Sequence, residues 1–151
     1  MAYINVSAPQ SQAILQISTA TIASTSSGYV VPALTDITLN NAVGVFQWTQ
    51  LDEFSNKTVP TPANNSIAGN FVLDSTTFFT GTNGVAGLFD LSNDATLVYF
   101  RLYFNGRTTG SKYVSGQGYI TNLAPTVNPS APVWTSPVTL SVDGDINAST
   151  V

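Results

Sequence analysis

The run at residues 96–104 is the feature that most constrains the fold of this chain. It consists mostly of aromatic, β-branched and leucine side chains, and this composition favours a pleated sheet over a helix. Successive side chains of a strand point to opposite faces. The two faces here hold Leu97, Tyr99, Arg101 and Tyr103, and Val98, Phe100, Leu102 and Phe104. Asn105 and Gly106 follow and form a hairpin turn signal. The run therefore predicts one strand of an antiparallel sheet.

Comparable runs recur along the chain, separated by Pro, Gly, Asn and Ser, which favour turns. The candidate strands are residues 1–8, 13–22, 43–51, 67–73, 76–80, 112–122 and 133–142, and residues 29–32 and 36–39 predict one or two further short strands interrupted by Pro32. The run at 43–51 is apolar on both faces near its middle, which is typical of a strand covered on both sides. Residues 85–93 are the one candidate for a short helix. The expected fold is mainly β, a β-sandwich or open barrel of about eight strands with one short helix.

The chain has 151 residues, so we expect one domain over residues 1–151. Three segments interrupt the strand pattern. Residues 52–66 form the longest polar, Pro-punctuated stretch and predict a long loop. Residues 123–132 predict a Pro-rich loop, and residues 146–151 predict a flexible polar tail. Loops as long as the first are usually functional or mobile.

Charged residues make up 8% of the chain, the net charge is −4, and there are four basic residues in total. A nucleic-acid-binding protein normally presents a basic patch that neutralises phosphates. With four basic residues we expect no specific binding of DNA. The absence of cysteine and histidine excludes a disulfide, a thiolate nucleophile, a histidine base and an ordinary zinc site. The first residues lack the features of a signal peptide, and no run is apolar enough for a membrane span. We expect no membrane partner.

The remaining candidates for chemistry are weak. They are the adjacent Asp52 and Glu53, the pairs Asp143 with Asp145 and Asp90 with Asp94, and the motif Gly116-Gln117-Gly118. The carboxylates more simply make turns or face solvent. The glycine motif lacks the third glycine of a dinucleotide fingerprint and leads into a strand. Its glycines instead indicate places where a backbone or an aromatic ring comes close. We therefore predict no enzyme, no catalytic or metal site and no cofactor.

The aromatic residues point towards association. The chain has two Trp, six Tyr and eight Phe. We expect most of them, including Trp48 and Trp134, to pack in the core and the others to lie at interfaces, where aromatic residues are enriched. Edge strands of soluble proteins are normally protected by charged side chains, which are scarce here. Self-association through sheet edges and loops is therefore expected.

The order of several motifs resembles a known family. The motifs are Phe46-Gln-Trp48-Thr-Gln-Leu51-Asp52, Val59-Pro60, Ser66-Ile-Ala-Gly69-Asn-Phe71, Gly116-Gln-Gly118-Tyr-Ile120-Thr, Pro125-Thr126 and Val138-Thr-Leu-Ser-Val142-Asp-Gly144. Together they span most of residues 30–146. In this order and spacing the chain resembles the major tail (tail tube) proteins of long flexible-tailed bacteriophages.

The resemblance implies a β-sandwich or barrel with one helix, near residues 86–95, whose copies form hexameric rings that stack into a tube. DNA would pass through this tube during ejection without specific binding. The implied partners are further copies of the chain and other tail proteins, namely the tape measure, the tail terminator and the distal tail protein. The implied location is the virion tail, after synthesis in the host cytoplasm.

Two loops are candidates for contacts between copies. For ring stacking the candidates are Asp52, Glu53, Phe54, Lys57, Val59 and Pro60. For a subunit contact the candidates are Pro125, Val127, Pro129 and Pro132. Other readings remain open at this stage. They are a capsid decoration protein, a tail-fibre module, and a carbohydrate-binding β-sandwich that would stack sugars on Trp48 or Trp134.

Overall fold

The computed structural model describes residues 13–51 and 55–151, and it is mainly β. The strands are β1 (Ile14–Ser18), β2 (Tyr29–Val30), β3 (Leu34–Asn40), β4 (Val43–Thr49), β5 (Asn56–Ala63), β6 (Ser66–Val72), β7 (Val98–Tyr103), β8 (Lys112–Leu123), β9 (Thr126–Asn128) and β10 (Ala131–Thr150). One α-helix, α1, spans Leu88–Asn93, and one π-helical turn spans Thr76–Thr80. The predicted fold class is confirmed. The strand predicted at residues 1–8 lies outside the described residues.

The main sheet is antiparallel, with the order β2-β1-β7-β8-β10-β6-β3, and β9 pairs with β10. Its two outer strands, β2 and β3, are separated by only three residues of chain. At one end of this link the Val31 amide donates to the Leu15 carbonyl at 2.9 Å, and at the other the Val72 amide donates to the Ala33 carbonyl at 3.1 Å. Residues 29–40 therefore pair with both outer neighbours in the sheet, β1 and β6, so the sheet curves into a half-barrel whose two edges are bridged by this segment.

The core fills the inside of this barrel. On β7 the alternating residues Val98, Phe100 and Leu102 are buried, as the sequence pattern predicts. The short helix adds Leu88 and Leu91, which are one turn apart and therefore lie on one face. The remaining buried apolar residues of the main core are Leu15, Ile17, Tyr29, Val31, Ile67, Phe71, Phe78, Val85, Val114, Ile120, Val138 and Leu140.

The two glycines of β8 sit at close backbone and side-chain contacts. A Cβ on Gly118 would lie 2.1 Å from the Ser141 carbonyl oxygen, and a Cβ on Gly116 would lie 2.9 Å from Cζ of Phe100. The prediction that a backbone and an aromatic ring approach these positions is confirmed. Their absent side chains allow β8 to pack tightly against β10 and Phe100.

Two segments differ from the prediction. Residues 76–80 form a π-helical turn where a strand is expected. Asp74 caps this turn by accepting the Thr76 and Thr77 amides, and Gly81 closes it at a positive φ of 75°. Residues 146–150 form the end of β10 and pair with β8, from Asn147 opposite Ser115 onwards. The flexible tail predicted at 146–151 is therefore wrong, because the polar Asn, Ser and Thr side chains there belong to an outward-facing strand.

Two tyrosines place hydroxyl groups inside the protein. Tyr103 donates to Oε1 of the buried Gln16 at 2.8 Å. The Tyr29 hydroxyl, in contrast, is buried and has no hydrogen-bond partner among the described residues. Burial raises the pKa of Tyr29 above its ordinary value, since the phenolate would lose its hydration.

We expect Tyr29→Phe to stabilise the protein by about 1 kcal/mol, because a buried hydroxyl without a partner costs free energy. The effect should grow above pH ~10, where unfolded tyrosine ionises. Tyr29 keeps its proton in the folded state. The free energy of unfolding of the wild-type protein is therefore unaffected by this ionisation below that pH and falls as the pH rises above it. Urea unfolding of both proteins at pH 7 and pH 10.5 measures the difference. A less stable variant at both pH values would show that the hydroxyl has a partner in solution.

Candidate functional site

A two-stranded hairpin extends from the main sheet. Strands β4 and β5 pair with each other and with no other strand among the described residues. β4 continues from β3 after two residues, and β5 leads into β6 after two residues, so the hairpin prolongs the β3–β6 pair. We call residues 43–51 and 55–63 the arm. At about 3.3 Å per residue the arm is about 23 Å long.

The base of the arm is held by Asn65, whose side chain is buried. Its Oδ1 accepts the Ala42 amide at 3.1 Å. The Asn64 amide donates to the Ala42 carbonyl at 3.2 Å, and the Val142 amide donates to the Asn65 carbonyl at 3.0 Å. These bonds tie both strands of the arm to each other and to β10, and so fix the direction in which the arm leaves the barrel.

Both faces of the arm carry exposed apolar side chains. On one face the rings of Phe46 and Trp48 are stacked with centroids 5.8 Å apart, beside Val59 and Lys57 of the opposite strand. We call this the aromatic face. The other face carries Val45 and Pro60, which lie opposite each other. Phe46 and Val45 are each 60% exposed. The expectation that residues 43–51 are covered on both sides is therefore wrong for a single copy of the chain.

The candidate stacking residues Lys57, Val59 and Pro60 lie on β5 of this arm. The loop predicted at 52–66 is corrected, because residues 56–63 form a strand. The prolines at 60 and 62 suggested a loop, but a strand paired on one side only can lack amide donors on its other side. The candidates Asp52, Glu53 and Phe54 lie outside the described residues.

A second exposed apolar surface lies between the π-helical turn, α1 and the start of β10. It is a groove of about 680 Å³. We call it the aromatic groove, and its principal lining residues are Asp74, Phe78, Phe79, Phe89, Val133 and Trp134. Phe79 is 60% exposed and Trp134 is 53% exposed. A contiguous exposed apolar surface of this kind commonly marks an interaction site.

The floor of the groove is a cluster of phenylalanines. Phe78 is buried and meets Phe79 edge-on with ring centroids 4.7 Å apart, and Phe89 lies 5.9 Å from Phe78. Gly87 allows this packing, because a Cβ there would lie 2.5 Å from the Phe78 carbonyl oxygen. The Leu73 amide donates to the Trp134 carbonyl at 2.9 Å and joins the two walls. The groove is thus built on packed elements.

Asp74 is the only charged residue in the groove lining. Partial desolvation raises its pKa, but the backbone and side-chain hydrogen bonds from Thr77, with the backbone bond from Thr76, outweigh this effect and hold the pKa below its ordinary value. Asp74 therefore carries a negative charge at neutral pH.

The second predicted loop borders this groove. Pro125 lines it, and Pro125, Val127, Pro129 and Pro132 are all exposed. The loop predicted at 123–132 is corrected in part, because it contains β9, and Val127 of β9 pairs with Trp134 of β10. The expected core packing of the two tryptophans is wrong, since Trp134 is exposed and Trp48 is half-buried.

Sequence reasoning missed Phe79 and Phe89. The sequence predicts a strand at residues 76–80, which would place one ring of the adjacent Phe78 and Phe79 inside and the other outside. The helical spacing offered a usable signal, since Leu88 and Leu91 form the buried stripe and leave Phe89 outside it.

The acidic pairs do not form a recognisable site. Asp143 and Asp145 flank Gly144 at a bulge of β10, beside a cleft of about 370 Å³, and Asp143 accepts a hydrogen bond from Gln117. Asp94 ends α1, where its amide donates to the Asp90 carbonyl. Within the described ranges no three His, Cys, Asp or Glu residues are grouped to hold a metal. No helix in those ranges has the length and apolar character needed to cross a bilayer.

No known family model matches this chain. No curated protein matches it in sequence either. Solved structures do match. The chain resembles the SPP1 tail tube protein with a TM-score of 0.66 and 13% identity, over 92% of this chain and 77% of that chain. It resembles a chain in the tail of an empty gene transfer agent particle, which has C6 symmetry, with a TM-score of 0.62 and 12% identity, over 90% and 96% of the two chains.

This chain has a tail tube fold. A further match extends the likeness to a chain of the sheath-tube complex of an extracellular contractile injection system, PVC, with a TM-score of 0.57 and 13% identity, over 95% of this chain and 91% of that chain. The likeness to tail tube structures thus covers almost the whole chain.

Proposed function

We propose that the protein is a structural subunit whose copies close into rings of six, as the resemblance implies, and that the rings stack into the tube of a phage-like tail. The observation that carries this is the match over nearly full length to chains of a tail tube and of a C6-symmetric tail. The resemblance of the sequence motifs to tail tube proteins supports the same proposal independently of the structural match.

The arm and the aromatic groove support assembly. A soluble monomer rarely exposes apolar surfaces of this kind, and an isolated two-stranded hairpin is marginally stable in water. Both features are accounted for if neighbouring copies cover them. A contact between two different surfaces of identical chains repeats, and it produces rings or filaments. The proposed stacking contact is the arm, including Lys57, Val59 and Pro60.

The charge of the chain suits a conduit for DNA. The net charge is −4, so a tube wall built from this chain repels phosphates and lets DNA pass without sticking. The proposed location is the virion tail, with the tape measure, tail terminator and distal tail proteins as partners at the lumen and the tube ends.

A second candidate is the inner tube of a contractile injection system. The match to a chain of the PVC sheath-tube complex favours it. The two candidates share the tube and differ in what surrounds it. Binding of a sheath protein to preformed tubes would favour this second candidate, and tubes that bind no sheath would favour the flexible-tailed one.

Electron microscopy of the purified protein tests the proposal. We expect rings at moderate concentration and stacked rings or tubes at high concentration or high sulfate, which strengthens apolar association. Monomers under every condition would contradict it. Capsid binding by such monomers would then favour a decoration protein. Glycan binding that is lost on Trp134→Ala would favour the carbohydrate-binding reading, which the exposure of Trp134 permits.

A further inference from the structure

We infer that the aromatic face of the arm of one copy seats in the aromatic groove of a second copy, head to tail. The inference rests on the proposed function and names the receiving surface of the stacking contact. The occupant of the groove is therefore Phe46 and Trp48 of another subunit, flanked by Val59 and Lys57.

The placement of the two surfaces along the barrel is the first argument. The arm joins β6 at Ser66, and the groove begins at the other end of the same strand, at Val72. Seven residues of strand separate these ends by about 20 Å. The arm therefore leaves one end of the barrel while the groove opens at the opposite end. Two copies stacked end to end bring the arm of one towards the groove of the next.

The chain does not cover either surface by itself. Phe46 on the arm and Phe79 in the groove are both 60% exposed. Stacked or edge-on aromatic contacts stabilise interfaces beyond the area that they bury, and buried aromatic anchors dominate binding energy. A groove of about 680 Å³ falls in the range that holds a group of large side chains.

Each of the two surfaces also carries one charged residue, and the two are opposite in sign. Lys57 is the only charged residue among the described arm residues, and it lies directly opposite Trp48 on the aromatic face. Asp74 is the only charged residue in the groove lining. A seated arm brings a cation towards a carboxylate at the rim of an apolar contact. Such a pair contributes more to the orientation of the two partners than to their affinity.

Cysteine cross-linking tests the inference, because the chain has no cysteine of its own. Val59→Cys on the aromatic face and Val133→Cys in the groove are made in separate proteins, which are mixed, assembled and oxidised. Disulfides between them form only between different copies. The matched control is Val45→Cys with Val133→Cys, since Val45 lies on the opposite face of the same arm and is also exposed.

We expect the Val59→Cys and Val133→Cys mixture to give at least tenfold more cross-linked dimer than the control mixture. Tubes visible by electron microscopy with no such excess would overturn the inference and leave the proposed function standing. Cross-linked dimers that never form rings or tubes would support the contact and contradict the proposed function. Absence of both would overturn both.

A second variant tests the same contact without new bonds. Phe79→Ser removes an exposed ring, so the thermal unfolding temperature should stay within a few degrees of wild type. Tubes should be lost while single rings persist. Normal tubes from this variant would count against the groove as the receiving surface.

Discussion

Removal of the arm is expected to abolish tube formation while the barrel stays folded. The variant joins Ala42 to Asn64 through Asn-Gly, a pair suited to a two-residue hairpin turn. This junction is already closed by the hydrogen bond from the Asn64 amide to the Ala42 carbonyl. The buried core residues all lie outside the arm, so the deletion removes assembly surface and leaves the packed interior intact.

Electron microscopy and sedimentation measure the loss of tubes, and thermal unfolding measures the fold. The control is Gln47→Ala, which changes an exposed polar side chain on the opposite face of the arm and should leave tubes intact. Tubes of normal length from the armless protein would show that stacking uses another surface. An armless protein that fails to unfold cooperatively would show that the arm belongs to the folding unit.

Gly118→Ala is expected to destabilise the protein by about 3 kcal/mol, near the upper end of what one overpacked site costs. The added Cβ would lie 2.1 Å from the Ser141 carbonyl oxygen, and this oxygen belongs to the backbone of β10. Gly118 also pairs with Val98 on its other side. Relief of the clash requires movement of a central strand that is held on both edges.

Gly116→Ala serves as the matched control on the same strand. Its Cβ would meet the end of the Phe100 ring at 2.9 Å, and a ring can shift where a backbone cannot, so the cost should be about 1 kcal/mol. Urea unfolding measures both values, and Gly118→Ala should lower the thermal midpoint by roughly 10 °C. Equal costs for the two variants would contradict this reading of the strand contacts.

The sequence by itself determined the mainly β fold class and the absence of cysteine and histidine. The alternation at residues 96–104 identified β7, because local periodicity reports which face of an element is apolar. The run at residues 85–93 also predicted a short helix, and α1 spans Leu88–Asn93. The glycines at 116 and 118 signalled close packing on β8. The order of degenerate motifs was enough to suggest the tail tube fold.

The tertiary structure decided where those strands lie and which apolar residues remain outside. The run at 43–51 is apolar on both faces whether it is buried in a core or covered by a neighbouring copy, so its pattern cannot distinguish the two. Prolines 60 and 62 concealed β5, because proline is tolerated mainly in edge strands and the sequence does not show which strands lie at an edge. The groove of Phe79, Phe89 and Trp134 joins residues that are distant in sequence, and only the folded sheet brings them together. The groove lies opposite the end from which the arm leaves.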